Sequence, residues 1–108
     1  MLYMNAKTLS QIEKEIEKIK QQLVTIQQMR PGSLTRQYRK PKDKTGAYYQ
    51  LSYTHKMKSR TEYVRSGFVD SIEAQISEYK RFRELVDQWV DLSIEHSKVQ
   101  MDIAKKAK

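Results

Sequence analysis

The sequence predicts an α+β chain: a long antiparallel helical hairpin of coiled-coil type with a small two- or three-stranded antiparallel β insert at its tip. Apolar residues recur at steps of three and four over residues 9–26 and again from residue 72 onward, the period of amphipathic helices. Between them, tyrosine-rich stretches alternate with a period of two, as strands do. With 38% hydrophobic and 31% charged residues, the 108-residue chain suits long surface helices better than a thick layered core, and it is read as a single domain over 1–108.

Residues 1–7 carry no pattern and are expected to be frayed; their apolar part is too short for a signal peptide. Leu9, Ile12, Ile16, Ile19, Leu23 and Ile26 then form a narrow, isoleucine-rich heptad seam that asks for a partner helix. Thr8 with Gln11 fits a capping box, and Pro31-Gly32 forbids continuation, so helix one is expected over about 8–28.

The β insert is expected over about 33–66. Leu34, Arg36 and Tyr38 alternate with Thr35, Gln37 and Arg39 in a first strand, and Lys40-Pro-Lys-Asp-Lys-Thr-Gly46 has the composition of an exposed loop. In the next strand Tyr49, Leu51 and Tyr53 share one face, with Tyr48, Gln50 and Ser52 on the other. Its partner is Arg60 to Val64 or Arg65, where Tyr63 is opposite in sense to Glu62 and Val64. The connection, His55 to Ser59, has no glycine, which predicts a longer or bulged turn rather than a tight two-residue one.

After Ser66-Gly67, Asp70 and Glu73 mark a second helix start. Ile72, Ile76, Tyr79, Phe82, Val86 and Trp89 continue into Leu92, His96, Val99 and Ile103 without a proline or glycine, so helix two is expected over about 71–104. Such a helix is roughly 50 Å long, against about 30 Å for helix one. Helix one then reaches only to about Leu92. The overhang, with Trp89, Val90, Ile94, Val99 and Ile103, predicts a homodimer through the helices.

The charge is unevenly placed. From Arg30 to Arg65 ten basic residues face two acidic ones, +8, while the rest of the chain holds eleven of each sign. An excess confined to one third of a chain is the footprint of a polyanion-binding surface. The candidate nucleic-acid-binding residues are Arg36, Arg39, Lys40, Lys42, Lys44, Lys56, Lys58, Arg60 and Arg65, with Tyr48 and Tyr63 exposed beside Lys56, Lys58, Arg60 and Arg65 for stacking on bases. For each tyrosine the competing reading is ordinary cross-strand packing.

Arg30-Pro-Gly-Ser-Leu, Gln37-Tyr-Arg39, Gly46-Ala-Tyr-Tyr-Gln-Leu-Ser52 and Tyr79-Lys-Arg-Phe-Arg-Glu-Leu-Val-Asp87, in this order between two helices, resemble a family of small uncharacterised prokaryotic proteins. The resemblance covers about residues 9–93. It implies a coiled helix, a Pro-Gly-Ser turn, a Gly-Pro-Tyr-Tyr strand, a second strand and a closing helix, in proteins of archaea and bacterial mobile elements; it carries no established activity. Where such proteins commonly have cysteines this chain has Lys40-Pro-Lys-Asp-Lys, so no metal knuckle is implied, and Ala47 replaces their usual proline.

Catalysis is not predicted, nor is any cofactor or metal. The chain has no cysteine, no glycine-rich phosphate loop and no Ser/His/Asp set, and His55 and His96 have no acidic cluster of ligand spacing near either. A tyrosine nucleophile at Tyr48 or Tyr63 would need clustered arginine and histidine in a larger domain. No apolar run approaches the ~20 residues of a membrane span, and the absence of cysteine gives no hint of an oxidising compartment, so a cytoplasmic location is expected. The function expected is a non-enzymatic nucleic-acid-binding accessory protein, DNA favoured over RNA. The alternative is a protein-interaction adaptor acting through its coiled coil, with the basic tip meeting an acidic partner surface.

Overall fold

A computed structural model describes residues 7–107; the fraying expected of residues 1–6 lies outside the described residues. The class is α+β. Helices α1 (Leu9–Leu23) and α2 (Val69–Lys106) are joined by an insert of three strands, β1 (Ser33–Lys40), β2 (Thr45–His55) and β3 (Lys58–Val64). The strands form an antiparallel sheet in the order β1-β2-β3. The chain divides into two compact units: a helical unit with α1 and α2 from Phe82 onward, and a sheet unit over Gln27–Arg81.

In the helical unit, α1 begins on the expected capping box. The Thr8 hydroxyl accepts from Gln11 N at 3.2 Å and the Gln11 side chain accepts from Thr8 N at 2.9 Å, satisfying two of the donors a helix start leaves open. The seam buries Ile12 and Ile19 against Leu85 and Leu92, with Ile16, Leu23, Ile26, Trp89 and Val99 packed around them. Glu13 bonds His96 at 2.9 Å, and Lys20 lies 5.4 Å from the Trp89 ring centroid. Seven residues forward on α1 match seven back on α2, so the helices run antiparallel. Lys7 is anchored by Glu15 at 2.9 Å rather than frayed.

Two expectations are corrected here. Helix one stops at Leu23, not near residue 28: β-branched Val24 and Thr25 are poor helix formers. Both the amide and the hydroxyl of Thr25 donate to Gln22 O, at 3.1 and 2.6 Å, closing the last turn. Trp89 and Val99, expected in the overhang, are packed around the seam. The reason is that Val69–Arg81 belong to the sheet unit, so the stretch of α2 available to α1 begins at Phe82. Val90, Ile94, Met101 and Ile103 remain 51–63% exposed.

In the sheet unit the central strand supplies the core. Leu51 is fully buried against Val64 and Ile76, with Leu34, Tyr49, Tyr53, Val69 and Ile72 around them. Gly32 (φ +148°) is required at the entry to β1, because a Cβ there would collide with Leu51 Cδ1.

The β2–β3 connection is a tight two-residue turn, contrary to the longer one expected. His55 pairs with Lys58, and Lys56 and Met57 between them take φ +51° and +65°. The twist of this mirror-image turn matches that of the flanking strands, and pairing of all of β3 with residues 49–55 of β2 offsets the cost of placing two side chains in the left-handed region, roughly 1–2 kcal/mol each. No helix of the described residues is long and apolar enough to cross a membrane.

Candidate nucleic-acid interface

Residues paired across an antiparallel ladder share a face, so the register sorts the candidate residues. On the face opposite the buried core, Arg39, Tyr48 and Tyr63 form a row across all three strands. The Arg39 guanidinium lies 5.5 Å from the Tyr48 ring centroid, and the Tyr48 and Tyr63 rings are 6.3 Å apart at 40°. Tyr63 is 60% exposed. Gln37 pairs with Tyr48 and Gln50 with Tyr63, which sets two amides beside the rings. Gly46 (φ +69°) makes room for the row, since a Cβ there would press on the Arg39 stem at 3.0–3.3 Å. Arg65, extended just past β3 (φ −67°, ψ 145°), continues the alternation onto the same face.

The other candidates lie elsewhere. Arg36, 5.4 Å from the Tyr38 ring centroid, and Lys40 share the parity of Leu34; Lys58 and Arg60 share that of Glu62 and Val64, with Arg60 paired to Tyr53. Lys58 and Arg60 are therefore not beside Tyr48 and Tyr63 as expected: the alternation of β3 turns them to the opposite face. Lys42 and Lys44 sit in the β1–β2 turn, where Lys44 N donates to Pro41 O at 3.3 Å, and Lys56 sits in the β2–β3 turn. These turns are at opposite ends of β2, about 33 Å apart at ~3.3 Å per residue. The cations are therefore spread over both faces and both end turns of the sheet, with Arg39 and Arg65 on the face of the aromatic row.

One node ties down the core side. The Tyr53 hydroxyl donates to Glu62 at 2.8 Å, both terminal nitrogens of Arg30 reach the same carboxylate at 3.4 Å, and the Arg30 guanidinium lies 4.9 Å from the Tyr53 ring centroid. The Tyr53 hydrogen bond, then Arg30, hold the Glu62 carboxyl below its ordinary 4.5; that hydrogen bond to Glu62 also raises the Tyr53 hydroxyl above 10.0. The charge of Arg30 is thereby balanced by Glu62. Among the described residues, none of the other nine basic residues between Arg30 and Arg65 is held in an ion pair.

A family model described as a domain of unknown function, DUF6788, matches residues 7–74. The chain belongs to that family. In this DUF6788 protein the match spans α1, all three strands with both turns, and the start of α2. No curated protein and no solved structure matches the chain. Sequence reasoning passed over Gln37, Gln50, the Arg30–Glu62 pair and Met57. Parity carried through β3 would have found the two amides; nothing in the sequence marks Arg30 as the partner of Glu62.

Proposed function

We propose that this protein is a non-enzymatic nucleic-acid-binding accessory protein, with DNA the favoured partner, that receives its ligand on the outer face of the sheet. The observation that carries the reading is the Arg39–Tyr48–Tyr63 row, on a face that, among the described residues, has no hydrophobic cluster over it, with lysine-bearing turns at both ends. Exposed aromatics flanked by cations take unpaired bases on their π-faces and phosphates on the ammonium and guanidinium groups. Arg65 extends the positive charge on that face, while Arg36, Lys40, Lys58 and Arg60, on the other face of the strands, add to the positive potential of the sheet's edges and turns. A homodimer through the helices belongs to the same proposal, supported by Val90, Ile94 and Met101 at steps of four and seven on α2. So do a cytoplasmic location and the archaeal or mobile-element origin that the sequence resemblance implies.

The test is fluorescence anisotropy of the intact protein with labelled single-stranded and duplex oligonucleotides over a salt series. Saturable binding whose log affinity falls linearly with log salt is expected. Absence of binding at low salt, with capture of an acidic protein instead, would move the adaptor reading ahead.

A further inference from the structure

Two features of the β2–β3 turn have no part in the sheet-face reading. Lys56 and Met57 both hold left-handed backbone that an Asn-Gly pair would adopt without strain. Met57 is 97% exposed, against 81% for Val24, the next most exposed large hydrophobic side chain among the described residues. It makes no contribution to the core, and it stands at the apex with His55, Lys56 and Lys58 around it. A turn that only closes a hairpin gains nothing from an unbranched apolar side chain thrust into water. The position gains only if something apolar, bordered by negative charge, meets the turn.

We propose that Met57 is a wedge that enters between neighbouring base pairs of duplex DNA while Lys56 and Lys58 contact the phosphates on either side, kinking the helix. This rests on the nucleic-acid reading above. Methionine is among the side chains suited to the gap of an unstacked base step, being flexible, unbranched and polarizable, and such insertions bend duplexes by roughly 20–90°. The charge pattern selects this occupant. A step between base pairs is apolar within and anionic along both edges, as the collar of cations requires. A lipid surface would bury the apolar area of a single methionine side chain, too little for stable attachment.

The experiment uses a duplex of about 30 base pairs carrying a donor and an acceptor dye at its ends, read by energy transfer and, in parallel, by anisotropy. The proteins are the parent, Met57→Gly and Met57→Leu. Glycine relieves the strain at φ +65°, so Met57→Gly keeps the hairpin. At saturation the parent is expected to raise energy transfer. Met57→Leu keeps the rise; Met57→Gly loses most of it while retaining the parent's salt slope, because the lysines remain. Equal energy transfer for the parent and Met57→Gly, or a parent that binds the duplex without bending it, overturns the wedge and leaves the sheet-face reading standing. A parent that binds neither duplex nor single strand overturns both. Binding to anionic phosphatidylserine vesicles but not to duplex, lost in Met57→Gly, overturns the wedge in favour of a lipid surface.

Discussion

Replacing Tyr63 with alanine separates binding from folding. Its ring is 60% exposed, and it meets the Tyr48 ring in a tilted contact at 6.3 Å. An aromatic pair of this kind is worth about 0.5–1.5 kcal/mol beyond buried area, so the fold survives the change. A base stacked on the ring is worth about 1–3 kcal/mol, which at about 1.4 kcal/mol per decade is roughly a 5- to 150-fold loss in affinity. The assay is anisotropy of a labelled oligothymidine of about 12 nucleotides, within the site sizes such surfaces cover, alongside thermal melting of each protein. Tyr63→Phe keeps the ring and is expected to bind as the parent does; Tyr63→Ala is expected to lose affinity for the single strand and little for duplex. If Tyr63→Ala melts like the parent and binds the single strand equally well, the row is packing and nothing more.

Three further outcomes follow from the geometry. Changing Lys56, Lys58 and Arg60 together to alanine is expected to weaken duplex binding about 10-fold or more and to flatten the salt slope by up to ~3, at ~0.9 per phosphate contact. The effect should add to that of Lys42→Ala with Lys44→Ala, since the two turns lie at opposite ends of β2. Glu62 has a depressed pKa in the folded state, so its contribution to stability is present above the ordinary 4.5 and lost as pH falls through the lower folded value. Glu62→Gln should accordingly melt below the parent at pH 7, with the gap closing on acidification; a gap that stays constant with pH refutes the charge pairing. For the assembly, sedimentation at tens of micromolar is expected to give about twice 12.9 kDa for the parent and a monomer for Val90→Glu with Ile94→Glu; a monomeric parent refutes the dimer.

The parts of the fold legible in the sequence are those governed by local rules. The heptad steps from Leu9 to Ile26 and the Thr8–Gln11 box define α1 and its start, and alternation around Leu51 separates Tyr49 and Tyr53 from Tyr48. What was missed depends on rules that look across the chain or against habit. Pro31 is so strong a stop that it hid the weaker one at Val24-Thr25, which acts through a side-chain bond to Gln22. A turn without glycine reads as a long loop, although Lys56 and Met57 adopt the tight form under the pull of a fully paired ladder. Proximity in sequence grouped Lys58 and Arg60 with Tyr63, whereas parity sets them on opposite faces.

The antiparallel match of Glu13 with His96 has a consequence for the order of synthesis. The partner of the α1 seam lies 83 positions downstream, so on a growing chain Ile12, Ile16 and Ile19 leave the ribosome long before Leu85 and Leu92 exist to cover them. A helix of 15 residues is marginal by itself, and its apolar stripe is the kind of surface on which nascent chains stick to one another. The seam is one residue wide and fenced by Glu13, Lys14, Glu17 and Lys18, all exposed; both charge signs alternate around it. The sheet, by contrast, pairs each strand with its neighbour in sequence, and its core is complete once Ile76, on the first turns of α2, has been made. Translation therefore presents a finished sheet while the helical pairing is still waiting for its second half.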